Sequence, residues 1–370
     1  MKTISELEKM LNGFLGCYKS YVECFAKMLV GLCEVKTVNL SEIAGVMDGK
    51  AQQGSHYRRL QRFFQYVRLD YDKLAKWIVK LFFPSNIPWY LALDRTNWQW
   101  GKKGINILVL ALVYKGVAIP IFWMLLNHKG CTSVSQKWAL ISRFIKVFGK
   151  ENIAGLLADR EFTGKEFFRY LVWKEVPFFI RIKGGTLIDN GRGKKVRASD
   201  LFRGLKKGEK WALRGKRCVY GRDLYVTGAK SPKSGELMIV VSNVETEEAI
   251  EKYLQRWKIE TLFGCLKGKG FKFEDTHITD RKKIKKMVGV LAVGFCWAYK
   301  VGEWRNAEEK PIAFKKHGRP AVSIFRYGLD FLRKEILKAG NKFFKICLKI
   351  GLQFSELDKS TTSPAFGGIL

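Results

Sequence analysis

The feature that most constrains the fold is the alternation of apolar strands and helices between residues 88 and 182. Apolar stretches of strand length, such as "PWYLALDRT" and "IAGLLADREF", are separated by helical patterns, one of which begins at Ser133 and Gln136. The predicted order is β-β-β-α-β-α-β. This order is typical of an α/β domain in which helices cover the faces of a mixed sheet.

Two of these apolar strands are predicted to end in an aspartate, Asp94 in "LALDRT" and Asp159 in "LLADRE". A carboxylate at the rim of a buried strand is costly unless a cation or hydrogen-bond donors meet it. Ligands of open α/β sheets bind at that rim. A single aspartate there is more commonly a turn or helix-cap residue, so a third group is needed to indicate a site.

That third group is a glutamate in the helical stretch "YLQRWKIETLFGCLKGKGF". At about 100° per residue, one face of the predicted helix carries four polar residues: Tyr253, Arg256, Glu260 and Lys267. We expect this face to point outward towards a ligand, because apolar residues occupy the opposite face. By itself Glu260 could simply pair with Arg256, four residues earlier.

Three converging carboxylates repel one another strongly unless a divalent cation neutralises them. Oxygen ligands suit Mg²⁺, with Mn²⁺ as a possible substitute. Two such ions about 3.5–4 Å apart would activate a nucleophile and stabilise the leaving oxygen in phosphodiester chemistry. The sequence therefore predicts that Asp94, Asp159 and Glu260 are catalytic residues and ligands of two Mg²⁺ ions.

The overall charge indicates the partner. The chain has 67 Lys and Arg against 34 Asp and Glu, a net charge of +33, which favours nucleic acid. A membrane is not predicted as a partner, because no basic amphipathic anchor stands out and the apolar runs at 105–126 and 287–299 are typical of core. Eight dispersed cysteines and only four histidines argue against a Cys/His zinc module and suit a reducing cytoplasm.

Five regions are predicted along the chain. Residues 1–87 form a helical DNA-binding region, in which Arg58, Arg59 and Arg62 lie on the second helix of a helix-turn-helix-like pair. The alternative for these arginines is a merely solvated helix face. The other regions are the first part of the core (88–182), an inserted basic β-subdomain (183–243), the second part with the Glu260 helix (244–300) and a basic C-terminal helical region (301–370).

These motifs resemble those of the insertion-sequence-four family of bacterial DDE transposases. The family signature Tyr-x2-Arg-x3-Glu-x6-Lys is matched without a gap by Tyr253, Arg256, Glu260 and Lys267, and "DRTNW" and "ADREF" resemble its two Asp motifs. A β-rich insertion before the Glu-bearing helix is a further similarity. The resemblance covers about residues 40–335 and implies a ribonuclease-H-like mixed-sheet core.

The resemblance also implies a reaction. Members of the family cleave DNA at insertion-sequence ends and transfer the ends to target DNA by a cut-and-paste route with a hairpin intermediate. Tyr253, Arg256 and Lys267 would then hold the non-transferred strand, and Arg160 would be a further phosphate contact. Relatives stack a flipped base on an aromatic in the insertion; Trp211 is the candidate here, although it is more typical of a strand core.

The implied assembly is a homodimer on DNA, associated with the bacterial nucleoid, since identical subunits act on both ends. The sequence leaves two alternatives open. One is a ribonuclease-H-like nuclease or resolvase that cuts without joining, which the acidic triad fits equally well. The other is a catalytically inactive DNA-binding protein of the same fold, against which the intact triad argues.

Overall fold

A computed structural model of the chain describes residues 2–15, 17–83, 87–100, 103–126, 132–316 and 318–338. The chain forms two units. The sheet unit is Ser85–Phe263, and the helical unit combines Met1–Pro84 with Gly264–Leu370. Residues 339–370 of the predicted C-terminal helical region lie outside the described residues. The five predicted regions stay a prediction.

The sheet unit is built on one sheet, to which the described residues contribute eleven strands in the order β3-β2-β1-β4-β5-β11-β10-β9-β6-β7, with β8 paired to β10. The strands are β1 (Trp89–Trp100), β2 (Lys103–Tyr114), β3 (Val117–Leu125), β4 (Ile153–Ala158), β5 (Phe178–Ile182), β6 (Leu187–Asp189), β7 (Lys195–Arg197), β8 (Lys210–Ala212), β9 (Arg217–Val219), β10 (Arg222–Lys230) and β11 (Leu237–Ser242).

The sheet is mixed. β1 is antiparallel to β2, and β2 to β3, whereas β1, β4 and β5 run parallel to one another. The parallel strands are connected through helices, α6 (Val134–Phe148) between β3 and β4 and α7 (Lys165–Trp173) between β4 and β5. The predicted α/β class with a mixed, ribonuclease-H-like sheet and a β-rich insertion is confirmed.

The strand that carries Asp94 is longer than predicted. β1 does not end at Asp94 but continues to Trp100, because β2 pairs with it antiparallel as far as Lys103. Its parallel pairing with β4 does end there: the last pair is Leu93 with Ala158. Asp94 is therefore the first residue of β1 beyond the parallel part of the sheet.

The β-rich insertion continues the same sheet. β11 pairs antiparallel with β5, Ile239 lying opposite Ile182, and β10 pairs with β11. Gly228 on β10 accommodates the ring of Phe202, because a Cβ at this glycine would lie 2.4 Å from that ring. The insertion is thus anchored to the core at the strand that follows α7.

The predicted single helix around Glu260 is interrupted. It consists of α8 (Ala249–Leu254), one 3-10 turn (Gln255–Trp257) and α9 (Lys258–Leu266), which begins in the sheet unit. α8 packs on the sheet through Ala249, Ile250 and Tyr253, which join the core cluster of Leu157, Phe179 and Val240. The 3-10 turn is tighter than an α-helical turn and places Arg256 next to the strand ends described below.

The helical unit contains α1 (Lys2–Leu15), α2 (Lys19–Val35), α3 (Leu40–Gly45), α4 (Gln53–Tyr66), α5 (Tyr71–Phe82), α10 (Arg281–Trp304) and α11 (Ile324–Leu337). Asn39 caps α3, because its side chain accepts from the backbone N–H of Ser41 and donates to Glu42. Among the described helices, none has the length and apolarity needed to span a bilayer.

Candidate active site

The two aspartates lie side by side at the end of the parallel part of the sheet. Leu93 pairs with Ala158, so the residues that follow, Asp94 on β1 and Asp159 after β4, occupy neighbouring positions. Adjacent strands are about 5 Å apart, which brings the two carboxylates to one rim. Asp159 caps the following 3-10 turn by accepting from the N–H of Arg160 at 2.8 Å.

Asp94 is held by two donors. Its Oδ1 accepts from the backbone N–H of Arg95 at 2.7 Å, and its Oδ2 accepts from Nη1 of Arg256 at 2.6 Å. Only 15% of the Asp94 side chain is exposed. Burial raises the pKa of this carboxyl to about 6, although the Arg256 guanidinium opposes the shift. The carboxylate of Asp94 is thus largely buried, with the guanidinium of Arg256 as its charged partner.

Asp159 is bound by the hydroxyl of Tyr253, which donates to its Oδ1 at 3.1 Å. Tyr253 is fully buried, and burial raises the pKa of its phenol to about 12. The hydroxyl consequently remains protonated at neutral pH and can act only as a donor towards the carboxylate. The tyrosine ring belongs to the hydrophobic core, so the position of its hydroxyl is fixed by packing.

Arg256 connects the third acid to the first. Its Nη2 donates to Oε1 of Glu260 at 2.9 Å, while Nη1 is bound to Asp94. Only 4% of its side chain is exposed, against 59% for Glu260. The Nε of Arg256 is also buried and has no hydrogen-bond partner in the described part of the chain. One buried guanidinium thus bridges two of the predicted catalytic carboxylates and retains an unused donor.

The predicted outward orientation is wrong for two members of the signature. Tyr253 and Arg256 face the sheet and are buried, whereas Glu260 is exposed. The physical reason is that the strand ends supply carboxylates, Asp159 and Asp94, that satisfy these two polar side chains inside the protein. Both faces of an amphipathic helix can be buried when charged partners inside the protein satisfy its polar face.

Residues 86–296, more than half of the chain, match the family model described as "Transposase DDE domain". The chain belongs to this family. Comparison with curated proteins finds no match. Among solved structures, the cryo-EM structure of the piggyBac transposase synaptic complex with hairpin DNA is similar at 12% sequence identity and a TM-score of 0.46, over 99% of this chain and 84% of that chain.

The predicted membership among DDE transposases is therefore confirmed, while the insertion-sequence-four subgroup stays a prediction. The family match begins just before β1 and includes Asp94, Asp159 and Glu260. It ends within α10, beyond the fourth signature residue, Lys267.

A further ion pair at the candidate site was not predicted from the sequence. Arg95 donates from Nε and Nη2 to the two carboxylate oxygens of Glu161, at 2.7 and 2.6 Å. This bidentate pair connects the residue after Asp94 to the segment after Asp159 and so fixes the two motifs relative to each other. Both residues stand in the "DRT" and "ADRE" motifs, but nothing local shows that they pair across 66 positions of sequence.

The remaining predicted DNA contacts are Arg160 in the sheet unit and residues of the helical unit. Arg160 is exposed next to Asp159. Lys267 belongs to the helical unit and forms an ion pair with Glu274 at 2.8 Å. On α4, Arg58 and Arg62 are exposed, whereas Arg59 donates to Glu23 at 2.9 Å and to the carbonyl of Ser20.

No group of three or more His, Cys, Asp or Glu within the described residues has the arrangement of a formed metal site. The donors nevertheless fit a hard divalent cation, because Asp94, Asp159 and Glu260 offer only carboxylate oxygens. A carboxylate as buried as that of Asp94 is stabilised by positive charge beside it. In this arrangement the guanidinium of Arg256 supplies that charge.

Proposed function

We propose that this DDE transposase cleaves DNA at the ends of an insertion sequence and joins those ends to target DNA by a cut-and-paste route. The observation that supports the proposal is the linkage of the predicted acids in the sheet unit. Asp94 and Asp159 follow paired parallel strands, and Arg256 connects Asp94 to Glu260. The match to all four positions of the insertion-sequence-four signature supports that subgroup.

Asp94, Asp159 and Glu260 would hold Mg²⁺, or Mn²⁺ in its place. When bound, such ions supply Lewis-acid stabilisation of the attacking and leaving oxygens of a phosphodiester. The protein itself orients the carboxylates: Tyr253 fixes Asp159, the backbone N–H of Arg95 fixes one oxygen of Asp94, and the sheet fixes both strands.

Arg256 would exchange partners when DNA enters the site. Its buried Nε lacks a partner among the described residues, and a phosphate oxygen is the acceptor that a guanidinium binds best. We therefore assign Arg256 to a phosphate next to the scissile bond, where it would leave Asp94 and Glu260 free for metal. Tyr253 supports this arrangement from the core, and Lys267 and Arg160 would hold further phosphates of the strand that forms the hairpin.

Duplex DNA would also contact the helical unit. Arg58 and Arg62 are exposed on α4. In the same unit, a cavity of about 550 Å³ is lined by α4 residues and by Lys282, Lys283 and Lys286 at the start of α10. Clustered cations on neighbouring helices suit the DNA backbone. We also propose that the protein acts as a homodimer on DNA, in the bacterial cytoplasm at the nucleoid.

The test uses full-length protein, Mg²⁺ and DNA carrying the inverted repeats that flank its gene. Uncleaved ends report cleavage, and pre-cleaved ends with supercoiled target report joining. Asp94→Asn and Glu260→Gln should each abolish both reactions, because the amides remove the ligand charge. Asp223→Asn, at an exposed acid of the same unit, should leave both unchanged.

Cleavage without any joined product would show a nuclease rather than a transposase. Cleavage that survives both Asp94→Asn and Glu260→Gln would show that the site has been misplaced. DNA binding with neither reaction in the unchanged protein would indicate an inactive DNA-binding relative.

A further inference from the structure

The sheet unit contains an aromatic pocket of about 630 Å³ on the side formed by α6, α7 and the start of β10. Its volume is in the range of small-molecule sites. α7 supplies most of the lining through residues spaced i, i+3, i+4 and i+7, which share one helix face: Glu166, Arg169, Tyr170 and Trp173. α6 adds Trp138, and β10 adds Arg222.

The back of the pocket is rigid. Trp138 stacks on Tyr170 with ring centroids 5.0 Å apart and an interplanar angle of 24°. The hydroxyl of Tyr170 forms a hydrogen bond with Ser142 at 2.7 Å. Arg222 is placed by the tight β9–β10 turn, in which Tyr220 and Gly221 both have positive φ.

The front of the pocket is an exposed tryptophan. Trp173 has 69% of its surface exposed, although an indole is usually among the more buried side chains. Its ring lies at an angle of 62° to that of Tyr170, with centroids 6.4 Å apart. A large exposed aromatic beside a rigid aromatic pair is a surface on which a flat ligand can stack.

Two donors on the lining residues have no partner in the described part of the chain. These are the indole N–H of Trp138 and the Nε–H of Arg222, both buried at the atom. Buried donors without acceptors are unfavourable and are normally met by water or by a ligand.

The charge around the pocket is positive. Arg169 and Arg222 line it, and Lys174 lies with its Nζ 3.8 Å from the centre of the Trp173 ring. Glu166 is the acid among them and is 3.6 Å from Arg169. A ligand with a negative group next to its flat ring fits this balance.

We propose that the pocket binds one unpaired nucleotide of single-stranded DNA, with its base stacked on Trp173 and its phosphate at the arginines. A nucleotide combines a π-face, ring acceptors and a negative charge, and stacking on aromatic side chains is the general mode of single-strand binding. The identity of the polyanion as DNA rests on the proposed function.

The location differs from the one that the family resemblance indicates. Trp211, on β8 of the insertion, stacks on Phe202 at 6.2 Å and 30° but is itself 39% exposed, so its predicted place in a strand core is wrong. It lines no part of the aromatic pocket. The pocket proposal and the family resemblance therefore predict opposite effects of replacing Trp173 and Trp211 on the binding of single-stranded DNA.

The experiment compares a blunt DNA duplex with the same duplex carrying a single-stranded thymidine extension, by fluorescence anisotropy with full-length protein. The extension should tighten binding by about 5- to 150-fold, the usual effect of one stacked base. Trp173→Ala should remove this gain, Trp173→Phe should keep most of it, and Trp211→Ala should leave it intact. All variants should bind the blunt duplex equally.

Photocrosslinking of an iodouracil-substituted extension gives a second readout, with the crosslink expected at Trp173 or Tyr170. The pocket proposal would be overturned if the extension still tightened DNA binding by Trp173→Ala. It would also be overturned if Trp211→Ala abolished that tightening. The pocket proposal would likewise be rejected if the unchanged protein cleaved its DNA ends with Mg²⁺ but bound the extended duplex no more tightly than the blunt one. The proposed transposase function would be unaffected by that result. If the unchanged protein did not cleave DNA but the extension tightened its binding, and Trp173→Ala abolished that tightening, the pocket proposal would be supported and the transposase reaction rejected.

Discussion

Replacing Arg256 with Met should destabilise the centre of the sheet unit, and divalent metal should reverse much of the loss. Arg256 is 4% exposed and Asp94 15% exposed at the side chain, with their charged atoms 2.6 Å apart. The methionine keeps an unbranched side chain in the same space but leaves the Asp94 carboxylate buried without its cation.

The expected cost is about 3–5 kcal/mol, the range found when one partner of a buried ion pair is removed. The hydrogen bond from Nη2 to Glu260 adds little, because Glu260 is mostly exposed. A loss of this size lowers the protection of β1 and β4 amides against hydrogen exchange by about 100-fold or more, since about 1.4 kcal/mol is a tenfold change.

Hydrogen exchange followed by mass spectrometry measures this change strand by strand. Arg203→Met is the matched control in the same unit, because Arg203 pairs with Asp200 at 3.0 Å but is 80% exposed. Arg203→Met should lower the free energy of unfolding by at most about 1 kcal/mol.

Mg²⁺ or Mn²⁺ should then restore protection in Arg256→Met more than in the unchanged protein, where the guanidinium competes for Asp94. A ligand present at 100 times its dissociation constant contributes about 2.7 kcal/mol. Equal losses in Arg256→Met and Arg203→Met would refute the buried ion-pair argument. If Mg²⁺ raised the hydrogen-exchange protection of Arg256→Met and of the unchanged protein equally, the proposed competition between metal and Arg256 for Asp94 would be refuted.

Three further outcomes are expected. Gly155→Ala should lower the free energy of unfolding by about 1–3 kcal/mol in urea titrations, because the new Cβ would lie 2.8 Å from an aromatic ring on β5. Replacing both Arg58 and Arg62 with Gln should weaken DNA binding and lower the slope of log affinity against log salt by about 2, or 0.9 for each phosphate contact. At neutral pH, a thiol reagent should label the exposed Cys218 but not Cys24, since burial raises the pKa of Cys24 to about 11.

Each of these outcomes can fail in a specific way. A stable Gly155→Ala protein would mean that the ring on β5 moves aside without cost. An unchanged salt slope would remove the exposed α4 arginines from the DNA contact. Labelling of Cys24 in the native state, found by peptide mapping, would show that the core around α2 opens readily.

The sequence by itself determined the features that depend on local pattern and on residue type. Strand and helix periodicity determined the α/β class, since side chains repeat every two or 3.6 residues whatever the partner segment is. The charge of +33 indicated a polyanion, and the position of Asp94 and Asp159 after apolar strands indicated a rim site. The signature around Glu260 indicated a DDE transposase, a membership that the family match over residues 86–296 confirms, while the insertion-sequence-four subgroup stays a prediction.

Only the tertiary structure decided how those residues meet. That Asp94 lies within β1 follows from its antiparallel partner β2, and the burial of Tyr253 follows from the carboxylate that the end of β4 presents to it. The bridge from Arg256 to Asp94 joins residues 162 positions apart. Such contacts are set by which strands and helices become neighbours, and helical periodicity alone cannot distinguish a polar face that meets water from one that meets buried acids.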